Sequence, residues 1–204
     1  MVILVIENGN AHAQAAGAEL KAQGHAVYAC ANYPDEAKLA ELSEAIGSDG
    51  GALDLLLFGA PVTGEPDGVI GSGHDDAKLL DLLTGAIYGM EHTVESLLPL
   101  LRRSETKRIG MITEAASSIG YCEDRADFGH HMALAGLNMA GRILFNRLRP
   151  EGFTFRWYCA DGEGGVSAAR YMQLGLCYDP KEPYTHSEEN RLVMRDRKLR
   201  EIPW

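Results

Sequence analysis

The sequence predicts an α/β fold, a doubly wound parallel sheet in one domain over residues 1–204. Two observations and one consequence predict it. Short apolar runs of strand length alternate with helical segments from one end of the chain to the other. The first run, Val2–Ile6, stops at Asn-Gly and gives way at once to a helix. With a helix between successive strands, the strands must run parallel and be covered on both faces.

The elements follow in order. "VILVI" is a buried strand, β-branched and short. "AHAQAAGAELKAQG" is a helix closed by a glycine. "HAVYACA" is a second strand. "PDEAKLAELSEAIG" begins with Pro34 and acidic residues, suited to a helix N-terminus, and spaces Leu39, Leu42 and Ile46 on one face. "LDLLLFGAP" is a third buried strand, followed by the Gly-rich loop "GEPDGVIGSG". A long helix runs from about Asp75 to Arg103, then the strand "RIGMIT", the helix Phe128–Leu148, and the strand "FTFRWYCA". A helix near Ser167–Leu176 and a polar strand, "RLVMRD", lead to the terminal "IPW".

Composition excludes several function classes. The chain has 204 residues, 46% of them apolar, enough for a proper core. A net charge of −10 leaves no basic footprint for nucleic acid or anionic lipid. Four scattered cysteines (Cys30, Cys122, Cys159, Cys177) form no CxxC pair, which points to a reducing, cytoplasmic setting. The first residues lack the basic leader and long apolar run of a signal peptide or membrane span.

Five segments in this order resemble the short-chain dehydrogenase/reductase family. They are "LDLLLFGAP", "LLTGAIYGMEHTVESLLPLL", "RIGMITEAASSIG", "HHMALAGLNMAGRILFNRLRPEGFTFRWYCADG" and "RLVMRDRKLREIPW". The resemblance implies a Rossmann-like fold and, by default, NAD(P)-dependent redox chemistry.

The family's reaction needs a phenol that gives a proton to the substrate oxygen, with its pKa lowered by a nearby ammonium. Set on the family pattern, Asp127 falls at the catalytic tyrosine, His131 at the lysine, Glu114 at the serine and Leu82 at the supporting asparagine. A one-residue slip offers Thr113 for the serine, and no register supplies the tyrosine. A carboxylic acid near pKa ~4 is the wrong donor at neutral pH unless burial raises it. Any remaining catalysis is expected from Glu114 and Asp127 as an acid–base pair, with His131 orienting.

The cofactor region departs as far. The family's first turn uses glycines so that a diphosphate can approach the helix N-terminus. Here "IENGNAHAQAAG" puts Glu7, Ala11 and Ala13 at those positions. Between "HAVYACA" and "LDLLLFGAP" there is room for one helix only. Asn32 stands where an adenine-contacting aspartate is expected. One β–α crossover of the dinucleotide-binding half is therefore expected to be missing. No cofactor is expected, with NAD or NADP as the alternative, and no cofactor-binding residues are assigned. After "YCADGEGG" a short link into "VSAARYM" replaces the family's substrate lid.

No metal is expected. His130, His131, Glu114, Asp127 and Cys122 cluster in sequence, but adjacent helical histidines point about 100° apart and the spacing matches no zinc pattern. The helix Phe128–Leu148 carries more apolar surface than one sheet needs. The expectation is a subunit contact, with Ala133, Ala140 and Gly141 at the closest approach. The sequence thus points to a degenerate pseudoenzyme subunit, a homo-oligomer or the hetero-oligomeric partner of an intact paralogue. An active oxidoreductase with a rebuilt NAD(P) site, a non-redox acid–base enzyme and a small-molecule-binding module are the alternatives.

Overall fold

A computed structural model of the chain describes residues 1–61, 75–175 and 191–204. Its strands are β1 (Val2–Ile6), β2 (Ala26–Cys30), β3 (Leu55–Gly59), β4 (Arg108–Thr113), β5 (Thr154–Cys159), β6 (Met194–Arg195) and β7 (Glu201–Ile202). Its helices are α1 (Ala11–Ala22), α2 (Glu36–Asp49), α3 (Asp76–Leu83), α4 (Gly89–Arg103), α5 (Phe128–Leu148) and α6 (Ala168–Gln173). They form one sheet in the order β2-β1-β3-β4-β5-β6-β7. Every pairing from β2 through β6 is parallel, and β7 is antiparallel to β6.

The doubly wound reading holds, because β1 has its sequence successor β2 on one side and β3 on the other. Two apolar layers cover the sheet. One joins α2, α4 and α5 through Leu42, Ile46, Val94, Leu97, Leu134 and Phe145. The other joins α1 and α6 through Ala16, Leu20, Ala169 and Met172. The central strands β3 and β4 are buried throughout, as a parallel sheet covered on both faces requires.

Among the described residues the sheet holds a single strand beyond β1, namely β2. That matches the expectation that one crossover is missing. Local detail differs from the sequence reading in three places. The long helix is interrupted by a π-turn at Thr84–Tyr88. The strand read over 191–196 shrinks to Met194–Arg195, and the tail read only as a terminus supplies β7. The Gly-rich loop at 64–73 and the end of the last helix at Leu176 lie outside the described residues.

Helix α5 also corrects an expectation. Two of the small residues expected at a subunit contact, Ala133 and Gly141, pack within the chain, and Ala140 is partly buried. Ala133 is buried, and a Cβ on Gly141 would lie 2.2 Å from the Trp157 ring. Asn138, mid-helix and buried, accepts from Trp157 Nε1 at 3.1 Å and donates to the Ser117 carbonyl at 2.9 Å. The exposed apolar residues are instead Met132 (49%), Met139 (62%) and Ile143 (61%). At offsets of seven and eleven they form one stripe on the face turned from the sheet.

Candidate functional site

In an open α/β sheet, ligands bind outside the carboxyl ends of the strands, where the strand order reverses. Here that point lies between β1 and β3. The turn after β1 uses Asn8 and Gly9, both at positive φ, to reverse the chain into α1. Two carboxamides from this turn reach across the gap. Asn8 Nδ2 donates to the Gly59 carbonyl at 2.9 Å, and Asn10 Nδ2 to the Ala60 carbonyl at 3.2 Å.

Asn10 does a second thing. Its Oδ1 accepts from the backbone amides of His12 at 3.0 Å and Ala13 at 3.1 Å. Free amides at a helix N-terminus make it an anion site. In α1 two of them are already taken by the chain's own side chain. Glu7 faces Gln14, whose Nε2 donates to it at 3.3 Å. Gly59 permits the packing, since a Cβ there would come within 2.8 Å of both the Asn10 and Ala13 Cβ atoms. On the α4 side Tyr33 lies against Phe58 and over Gly89. Its hydroxyl is buried beside Asn8, and burial holds the phenol un-ionised well above its ordinary range. Asn32 is exposed.

A cleft of about 270 Å³ remains, lined by Asn10, His12, Thr113, Glu114, Ala160 and Asp161 among others. Glu114 leaves the end of β4 and forms a hydrogen-bonded ion pair with His130 Nε2, from the first turn of α5. That bond lowers the Glu114 carboxyl below its ordinary range, against the upward push of burial, with further help from the charges of His130, His131 and His12. Asp161 accepts from the Ala115 amide at 2.7 Å, which fixes the turn after Glu114.

The three residues expected to act together are not arranged as a triad. Glu114 reaches the cleft, but its partner is His130 and not His131. His131 turns away: its Nδ1 lies 2.9 Å from the Asp127 carbonyl oxygen and its Nε2 3.1 Å from Asp124 Oδ2. Asp127 caps α5 in a left-handed conformation without capping it through its side chain, and its Oδ1 is buried with no partner among the described residues. Leu82 is half-buried on α3. Sequence reasoning missed Asn10, Tyr33 and the Glu114–His130 pairing. Asn10 was visible as an N-cap residue before a helical run. The other two depend on contacts that no local pattern shows.

No family model matches the chain. A curated relative, C-signal of Myxococcus xanthus, is 30% identical over 103 residues, which is 50% of this chain and 61% of that protein. The match thus spans less than two thirds of its length. Among solved structures, carbonyl reductase Sniffer of Drosophila melanogaster is similar with a TM-score of 0.67 at 14% identity, covering 100% of this chain and 99% of that one. A Burkholderia multivorans short-chain dehydrogenase/reductase structure with bound NADP gives a TM-score of 0.68 at 18% identity, covering 100% and 99%. The Pseudomonas aeruginosa RhlG/NADP complex gives 0.60 at 18%, covering 91% and 79%.

Proposed function

We propose that this chain, which has the fold of the short-chain dehydrogenases/reductases, does not work as a dinucleotide-dependent reductase and acts as a non-catalytic subunit or partner. One observation carries the reading: the Asn10 carboxamide occupies two N-terminal amides of α1 and ties the turn to Ala60. A diphosphate would have to displace a buried side chain and its three hydrogen bonds to reach them. The single strand beyond β1 among the described residues, Tyr33 over the end of β3, and an aspartate where a phenol is needed support the same reading.

Three structural neighbours were solved with NADP, so NAD or NADP binding is the alternative to be decided directly. Titration with NADH and NADPH, followed by calorimetry and thermal unfolding, is expected to give no saturable binding below millimolar concentration. A dissociation constant in the low micromolar range for either would end the proposal. The proposed partner is a second copy or an intact paralogue, met through the Met132, Met139 and Ile143 stripe of α5.

A specific observation favours one second reading. Glu114, paired with His130 and open to a cleft that also holds Asp161 and His12, is a carboxylate–imidazole unit suited to non-redox proton transfer on a small molecule. Turnover in a substrate screen that disappears in both Glu114→Gln and His130→Asn would establish it.

A further inference from the structure

We infer that Cys122, Asp124 and His131 form a zinc-class cation site where the loop before α5 meets its first turn. Two adjacent histidines cannot easily share one ion, and here they separate. His130 goes to Glu114, while His131 faces the loop. One donor atom from each of Cys122, Asp124 and His131 lies within 4.8 Å of the other two. Tetrahedral zinc with ligand bonds of about 2.0–2.3 Å sets its donors roughly 3.4–3.6 Å apart. The His131 Nε2 and Asp124 Oδ2 atoms, 3.1 Å apart, are already near that separation. Cys122 and Asp124 are exposed, so their side chains can close the remainder without disturbing the core.

The protonation pattern supplies an independent reason. The Asp127 carbonyl oxygen can only accept, so His131 Nδ1, 2.9 Å away, is placed to donate to it. Nε2 then faces Asp124 Oδ2, a second acceptor, at 3.1 Å. Such a pair is bridged by a proton or by a metal cation, and the nearby Cys122 thiol is what favours the metal. Metal-binding histidines characteristically donate their other ring N–H to a carbonyl or carboxylate, and this one does so. The thiol selects within the class: sulfur with imidazole and carboxylate suits Zn²⁺ and disfavours Mg²⁺ or Ca²⁺. On binding, the Cys122 thiol releases its proton to solvent, as does any proton held on Nε2. Three protein ligands leave a fourth position open. The His130 and His131 ring centroids are 5.9 Å apart, so the ion would stand one imidazole away from the Glu114–His130 pair.

The test uses untagged, chelator-treated full-length protein and Co²⁺ as the probe, with Zn²⁺ as competitor. One equivalent of Co²⁺ should produce a thiolate charge-transfer band and visible bands of tetrahedral intensity, both erased by Zn²⁺. Cys122→Ser should lose the charge-transfer band. Asp124→Asn and His131→Gln should weaken binding at least about tenfold. Cys30→Ser, at a buried thiol at the end of β2, should leave the band in place. Zn²⁺ should raise the unfolding temperature of the parent protein and not of Cys122→Ser. A missing charge-transfer band, or one that survives Cys122→Ser, overturns the site. Neither outcome depends on whether NAD(P)H binds.

Discussion

His130 Nε2 and the Glu114 carboxylate form an ion pair that joins the first turn of α5 to the end of β4. The pair sets an acid-side pH dependence. Glu114 has its carboxyl lowered in the folded state, so its contribution is complete above the ordinary glutamate value near 4.3. It is lost as pH falls through the lowered folded value. The Glu114 side chain is 41% exposed, so solvent screening holds the contribution under about 1 kcal/mol. Urea unfolding of the parent protein and of Glu114→Gln between pH 7 and 3 should show a gap that closes only below the ordinary glutamate range. A gap that stays constant with pH would mean the carboxylate's charge is not what matters.

Asn10→Ala should cost about 1–2 kcal/mol, measured as a lower urea midpoint at unchanged slope. It removes the acceptor for two α1 amides and the donor to the Ala60 carbonyl. With those amides exposed, added inorganic phosphate should stabilise the variant more than the parent. Equal response in both would argue that the α1 terminus is open to anions despite Asn10.

Much of the fold was legible because the strands are short apolar runs with sharp stops. Arg108–Thr113 and Phe128–Leu148 begin and end where the sequence reading puts them. The parts that were not legible depend on partners distant in sequence. Met194–Arg195 pairs with Trp157 and Tyr158, so its length is set by what β5 offers and not by its own residues. The tail Glu201–Ile202 is polar at one position and too short to show alternation. At the site, aligning Glu114, Asp127 and His131 on a family pattern located the right end of α5. It could not tell which of two neighbouring imidazoles would turn toward β4, because a rotation of about 100° separates them and the choice rests on Glu114 itself.

Asn138 shows why a polar residue inside an apolar helix misleads. It lies four residues after Leu134 and three before Gly141, on the apolar face, where it satisfies a buried indole N–H and the Ser117 carbonyl. Asn138→Leu should destabilise by about 2–4 kcal/mol, since two buried groups lose their partner together. One turn away, Gly141→Ala should cost about 1–3 kcal/mol, because its Cβ would overlap the Trp157 ring. Thermal unfolding monitored at the indole would rank them. A neutral Gly141→Ala would mean that α5 can lift from β5 without cost.

The stripe of Met132, Met139 and Ile143 makes the subunit proposal testable apart from stability. None of the three lies in the buried layer between α5 and the sheet, so a charge there should leave the monomer's fold intact. Met139 also borders a groove of about 390 Å³ with Ile119 and Trp204, which are exposed themselves. Exposed apolar residues gathered this closely are a common mark of a contact surface. Covering it would gain roughly 25 cal/mol per Å², against several kcal/mol of association entropy. Removing one central side chain and adding a charge should therefore tip the balance. Ile143→Lys is expected to shift the purified protein from dimer or larger to about 22 kDa by light scattering at tens of micromolar, with the unfolding temperature of the monomer nearly unchanged. Ala140→Arg should act differently. Ala140 is partly buried against the core, so the arginine should lower stability whether or not a partner is present. A parent protein that is already monomeric at that concentration would remove self-association and leave the hetero-oligomeric partner as the use of the stripe.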